Sequence, residues 1–252
     1  MNTSPGQSLS LRRYVRLLAL LLCWPLFASA QAEKPTDIEF GYVEMPPRTF
    51  TNAQGKPDGQ LLKLMTAVMN KAGLSWRATS YPANRLISNL KDGSTPMSIV
   101  VRVPALEECC LFSKEAVGVA ELRIYRIGEK PAIKRREDLS GKTLIVLRGY
   151  SYSGLINFIN DPKNKISSEV APTHEAAFDM LAAGRADYLI NYSEPSEIAL
   201  AANPVRNAHF DVFERAERVL VISKSHPNAA KLMERLEGIL RTIDKDQFLR
   251  DK

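Results

Sequence analysis

Hydrophobic and polar positions change period along the chain. DIEFGYV alternates, placing Ile38, Phe40 and Tyr42 on one face, and predicts a strand. MPPRTFTNAQGKPDGQ is rich in Pro, Gly, Asn and Asp and reads as loop and turn. LLKLMTAVMNKAG then puts Leu61, Leu64, Met65, Val68 and Ala72 at helical spacing, with Gly73 where a C-terminal cap belongs. LSWRATS reads as a second strand, NRLISNLKDG as a short helix ending near Gly93, and MSIVVRV as a buried strand. Strand, helix, strand, helix, strand is the signature of a parallel α/β unit with helices packed on its sheet.

The pattern restarts at LSGKTLIVLRGYSYSGLINFIND, which reads as turn, buried strand, Gly-containing loop and helix. KISSEV is a weak strand. In THEAAFDMLAAGRADYLIN, Thr173 is a candidate N-cap, Ala177, Met180 and Leu181 form the apolar stripe, Gly184 follows the helix, and a strand closes the segment. SEPSEIALAAN reads as another short helix, RVLVIS as a late strand, and HPNAAKLMERLEGILRTI as a long helix with Leu232, Leu236, Ile239 and Ile243 in register. Two α/β lobes are therefore expected, and the last strand and helix could pack on either.

The chain has 252 residues, 45% hydrophobic and 25% charged, which supports one large core or two smaller ones. At the N-terminus, Arg12, Arg13 and Arg16 precede an apolar run from Leu17 to Phe27 and then Ala28-Ser29-Ala30. That arrangement predicts a signal peptide over residues 1–30, cleaved after Ala30, and a periplasmic location. Its removal takes three arginines and no acid from a formal charge of +6, leaving a mildly basic chain. No basic stripe points to nucleic acid. Cys109 and Cys110 stand side by side without a C-x-x-C or Cys/His pattern, so no metal or cofactor is expected. They read as small apolar residues at a strand end, with a redox role or a strained vicinal disulfide as the alternative.

The order GYVEMPPRTF, GKPDGQLLKLMTAVMNKAGL, NRLISNLKDG, VPALEECCLFS, EDLSGKTLIVLRGYSY and AAFDMLAAGRADYLIN resembles family-3 periplasmic solute-binding proteins, the amino-acid-type receptors of ATP-driven importers. The resemblance runs from about Ile38 to about Ile243. It implies two mostly parallel α/β lobes joined by two hinge strands. Lobe 1 would span residues 37–116 plus 218–252 and lobe 2 residues 117–217, with the solute in the cleft between them.

The resemblance also implies a site, and this sequence departs from it. The family's carboxylate-gripping arginine falls at Leu106, and the Asp that meets an ammonium is replaced around Asn191 and Tyr192. STPMSIV lacks a further Asp, and Asp187 is kept at a turn. Arg102 and then Arg148 are the candidate substitute cations, with Arg85 a helix brace that could reach ligand. Tyr42 and Phe50 match aromatic positions that sandwich the ligand. Ser151 matches an oxyanion-binding position at a helix start, and Tyr150, Tyr152, Asn191 and Tyr192 complete the candidate lining.

The resulting expectation is a monomeric, non-enzymatic receptor for a small polar solute other than a standard zwitterionic α-amino acid. Its partner would be an inner-membrane ABC permease or a sensor. One alternative is an enzyme on the same scaffold, like the periplasmic cyclohexadienyl dehydratases, with Glu44, Glu107, Glu108 or Glu194 as acid or base. Another is a degenerate domain that binds a signalling partner.

Overall fold

The computed structural model describes residues 1–2 and 37–249. Every described helix and strand belongs to one compact unit, Thr36–Lys252. The expected signal peptide and its cleavage point lie outside the described residues. No described helix is long and apolar enough to cross a membrane.

Among the described residues, ten strands and seven α-helices follow one another as β1 (Ile38–Tyr42), β2 (Phe50–Thr51), β3 (Pro57–Asp58), α1 (Gln60–Lys71), β4 (Trp76–Ser80), α2 (Ala83–Asp92), β5 (Met97–Val101), β6 (Cys110–Ile127), β7 (Thr143–Leu147), α3 (Leu155–Asn160), β8 (Ser167–Ala171), α4 (His174–Ala182), β9 (Tyr188–Tyr192), α5 (Ser193–Ala202), β10 (Ala208–Ser223), α6 (Ala229–Thr242) and α7 (Asp246–Leu249). Eight strands hydrogen-bond in the order β4-β1-β5-β10-β6-β9-β7-β8. The pairs β1/β4, β1/β5, β7/β8 and β7/β9 are parallel; β10 runs antiparallel to β5 and β6, and β6 to β9. Two parallel α/β units thus flank a central antiparallel pair.

That central pair carries the chain from one unit to the other. β6 has 18 residues and β10 has 16. Their register slips at three points; between Ala116↔Val219 and Phe112↔Val221, three residues of β6, Ser113 to Glu115, stand against one of β10, Leu220. Such a bulge bends a strand and strengthens its twist. The N–H groups it frees find partners. Ser113 Oγ accepts from Leu220 N at 3.0 Å and donates to Glu115 O at 2.8 Å. The buried Glu237 of α6 accepts from the backbone N–H groups of Lys114 and Glu115.

The apolar stripes bury as their spacing dictates. Leu61, Leu64, Met65 and Val68 of α1 share a cluster with Leu220 and Ile222 of β10 and with Leu232, Leu236 and Leu240 of α6. The last strand and helix therefore pack on the first unit, which the periodicity left open. A second cluster holds Leu122 and Ile124 of β6 with β7, α4 and β9, and a third, smaller one holds Leu86, Leu90, Leu106 and Cys110. Helix ends follow the sequence signals: Thr173 Oγ1 accepts from Ala176 N at 3.1 Å, and Gly93 closes α2 at φ 81°.

Candidate functional site

Parallel strands leave a crevice beyond their carboxyl ends. The ends of β1 and β5 and the loops after β7 and β9 converge on a cavity of about 100 Å³. The first unit contributes Tyr42 and Val43 from β1 and its exit, Met45 and Arg48 from the following loop, Leu86 and Ile87 from α2, and Ile99 to Val101 of β5. The second contributes Gly149 to Tyr152 and Tyr192, and the crossing strands add Ala120 and Arg218.

Three tyrosines form an aromatic wall. Tyr150, Tyr152 and Tyr192 have ring centroids 5.8 to 6.1 Å apart. The loop can fold this way because Gly149 sits at φ 78° and Tyr152 and Ser153 adopt φ 49° and 55°, turning the Tyr152 ring inward. Its hydroxyl accepts the Leu147 N–H at 2.6 Å. The Tyr150 hydroxyl donates across the crevice to Glu44 O at 3.1 Å. Burial pushes the hydroxyls of all three well above the ordinary phenol range, so they are neutral donors and acceptors.

Behind the wall, His174 Nδ1 lies 2.9 Å from Asn191 Oδ1, which also accepts the Tyr192 N–H at 2.9 Å. Because that oxygen can only accept, Nδ1 carries the proton. Burial lowers the affinity of His174 for a second proton, despite the opposing effect of Asn191.

Two arginines on the cavity lining, Arg48 and Arg218, share one carboxylate, Glu194, which itself lies off that lining. Glu194, in the first turn of α5, accepts from Arg218 Nη1 at 2.8 Å and from Arg48 Nε at 3.2 Å. Arg218 is 5% exposed and Glu194 7%. Burial alone would raise the Glu194 carboxyl, but Arg218 and then Arg48 more than offset it and hold the group below the ordinary range. Arg218 Nη1 also donates to Val119 O, and Nη2 reaches the Met45 thioether at 3.6 Å. Arg48 is further held by Gln60 and by Leu249 O at 2.7 Å. Arg218 sits where β10 slips register against β6, and that slip aims its side chain into the crevice.

Of the residues singled out in the sequence, Tyr42, Tyr150, Ser151, Tyr152 and Tyr192 lie on the cavity wall. No α-helix starts at Ser151: a short 3₁₀ turn over Tyr152–Gly154 intervenes, and α3 begins at Leu155. Phe50 and Arg148 line an adjoining open groove of about 590 Å³ together with Glu44, Tyr81 and His174. Asn191 stands behind the wall as the His174 partner. Arg102 is exposed, its guanidinium 4.6 Å from the centre of the Phe112 ring, and Arg85 is exposed on α2. Leu106 is core. Asp187 accepts from Lys130 Nζ at 2.6 Å and Thr143 Oγ1 at 2.7 Å, a turn brace remote from the cavity lining. Cys109 and Cys110 are free thiols with sulfurs 3.3 Å apart at the start of β6. Sequence reasoning missed Arg218 and Arg48. The faint signal for Arg218 was a lone arginine opening the apolar run RVLVIS.

Comparison with known proteins places this architecture. No protein-family model and no curated protein matches the sequence. Solved structures do match the fold. An ancestral arginine-binding protein bound to arginine superposes with a TM-score of 0.68 at 20% identity, over 84% of this chain and 94% of that one. A histidine kinase sensor domain with similarity to periplasmic binding proteins gives 0.69 at 20% identity, over 82% and 89%. The substrate binding protein of an amino acid ABC transporter gives 0.67 at 15% identity, over 86% and 100%. The chain has the two-lobed α/β fold of the periplasmic binding proteins, carried by a divergent sequence.

Proposed function

We propose that this protein is a periplasmic receptor that closes two lobes over a small polar solute and hands it to an inner-membrane importer or a sensor. The lobes would be residues 37–116 with 218–252, and residues 117–217, turning about β6 and β10. The observation that carries the reading is the cavity between the carboxyl ends of two parallel units, bridged by hydrogen bonds from Tyr150 to Glu44 and from Arg48 to Glu194. A solute bound there favours the closed arrangement by its differential affinity.

The solute is not a standard zwitterionic α-amino acid. An ammonium buried without a carboxylate is costly, and no Asp or Glu is on the cavity lining. The same fact weighs against elimination chemistry, since Glu44, Glu107, Glu108 and Glu194 all lie off that lining. The sensor-domain neighbour keeps a signalling partner alongside a permease as the receiver.

Mass spectrometry of small molecules copurifying with the native protein, followed by calorimetry with each, tests this. A stoichiometric solute whose binding compacts the protein in small-angle scattering supports the receptor. Nanomolar binding of a common α-amino acid overturns the non-zwitterion part, and turnover of prephenate or arogenate overturns the non-enzymatic one.

A further inference from the structure

The cavity wall combines charge and apolarity in a way that names a ligand class. Two arginines, Arg48 and Arg218, reach it and no carboxylate does. Arg218 is almost fully buried, yet among the described residues its Nη2 has as partner only a thioether, a weak acceptor, at 3.6 Å. A guanidinium's planar fork of N–H donors matches the two oxygens of a carboxylate. Apart from Thr49 and Ser151, the rest of the wall is built of aliphatic residues, tyrosines and one glycine. The Tyr152 and Tyr150 hydroxyls are already engaged with Leu147 N and Glu44 O, so these residues offer ring surface more than hydrogen bonds. A polyol or sugar would find few partners there.

We propose that the solute is an organic monocarboxylate with a compact apolar or aromatic body, its carboxylate on Arg218 and its body against Tyr150, Tyr152 and Tyr192. Glu194 is the internal competitor that holds the same guanidinium when no solute is bound. The inference rests on the receptor reading above and adds the ligand's charge and shape.

Calorimetry on the full-length exported protein, stripped of ligand by unfolding and refolding, tests the idea with four probes: benzoate, 4-methyl-2-oxopentanoate, neutral benzamide and zwitterionic leucine. The carboxylates bind at least roughly tenfold tighter than benzamide and leucine, the worth of one charge-assisted pair. Arg218→Lys weakens them by a similar factor, and Glu194→Gln tightens them severalfold because the competing charge is gone. Equal binding of benzoate and benzamide, preference for leucine, or weaker carboxylate binding in Glu194→Gln overturns the proposal. Should Arg218→Lys fail to fold, the wild-type probe series and Glu194→Gln carry the test unaided. A neutral solute that binds and compacts the protein sinks this inference while leaving the receptor standing. Absence of binding by all four, with no copurifying molecule, sinks both.

Discussion

Arg218 Nη1 and Glu194 Oε1 meet at 2.8 Å, joining a strand that crosses between the lobes to the first turn of a helix. Both are buried, and Arg48 reaches the same oxygen from a third element. Three distant stretches of sequence are thus tied at one atom.

Breaking that tie from one side should be expensive. Removing one member of a buried pair leaves the other charged and under-compensated, at about 3–5 kcal/mol. Arg218→Met is expected to lie toward the low end, since Arg48 still faces Glu194. Adding Glu194→Gln to Arg218→Met should recover part of the loss. Urea unfolding of the two single variants and the double variant checks this; strict additivity would show that the pair is not coupled.

Gly149 packs closely against Asn84 on α2. It sits at φ 78°, and a Cβ there would lie 3.2 Å from Asn84 Oδ1 on α2. Gly149→Ala should cost about 1–2 kcal/mol of backbone strain and push the lobes apart. A larger radius of gyration in small-angle scattering and weaker solute binding are the expected results.

His174 gives the protein a slope of stability with pH. Its folded proton affinity is lowered by burial, so below the ordinary imidazole value of about 6.5 the unfolded chain takes up a proton that the folded one does not. This contribution is fully present above that value and declines as pH falls toward the lowered folded one. His174→Gln should flatten the slope below about pH 6.5, measured as urea midpoints at a series of pH values on the acid side of it. An unchanged slope would mean that His174 is not held neutral.

Cys110 should resist modification. Its thiol is pushed up to about 12 by burial first and by Cys109 second, and it lies in the core beneath α2. Cys109 is half-buried. Iodoacetamide at neutral pH should label Cys109 in the native protein and Cys110 only after unfolding, read by peptide mass spectrometry.

The parallel units were legible because both helices and strands there carry a clean period. α1 shows the 3.6-residue stripe, and β7 and β9 are short apolar runs ended by turn residues. The first part of β10, Ala208 to Glu217, was not legible. It is exposed or half-buried along its length, and so has neither an alternation nor an apolar run. It is a strand because β6 pairs with it. Similarly, the tyrosines in LRGYSY could be named as lining from the loop they occupy. Arg102 was named because it stands four residues before the family's arginine position and Arg148 because it stands in the LRGYSY loop, whereas side-chain direction decides which cation reaches a cavity, and Arg218 is the buried one that does.

By itself, the sequence determined the local elements, their order and the two-lobed class, since periodicity, caps and turn residues act over a few neighbours. Tertiary structure alone decided where β6 and β10 slip against each other, and that Arg48, Glu194 and Arg218 share one buried point. Those outcomes depend on packing and pairing between segments far apart in the chain, 170 residues from Arg48 to Arg218, a range over which no local pattern carries information.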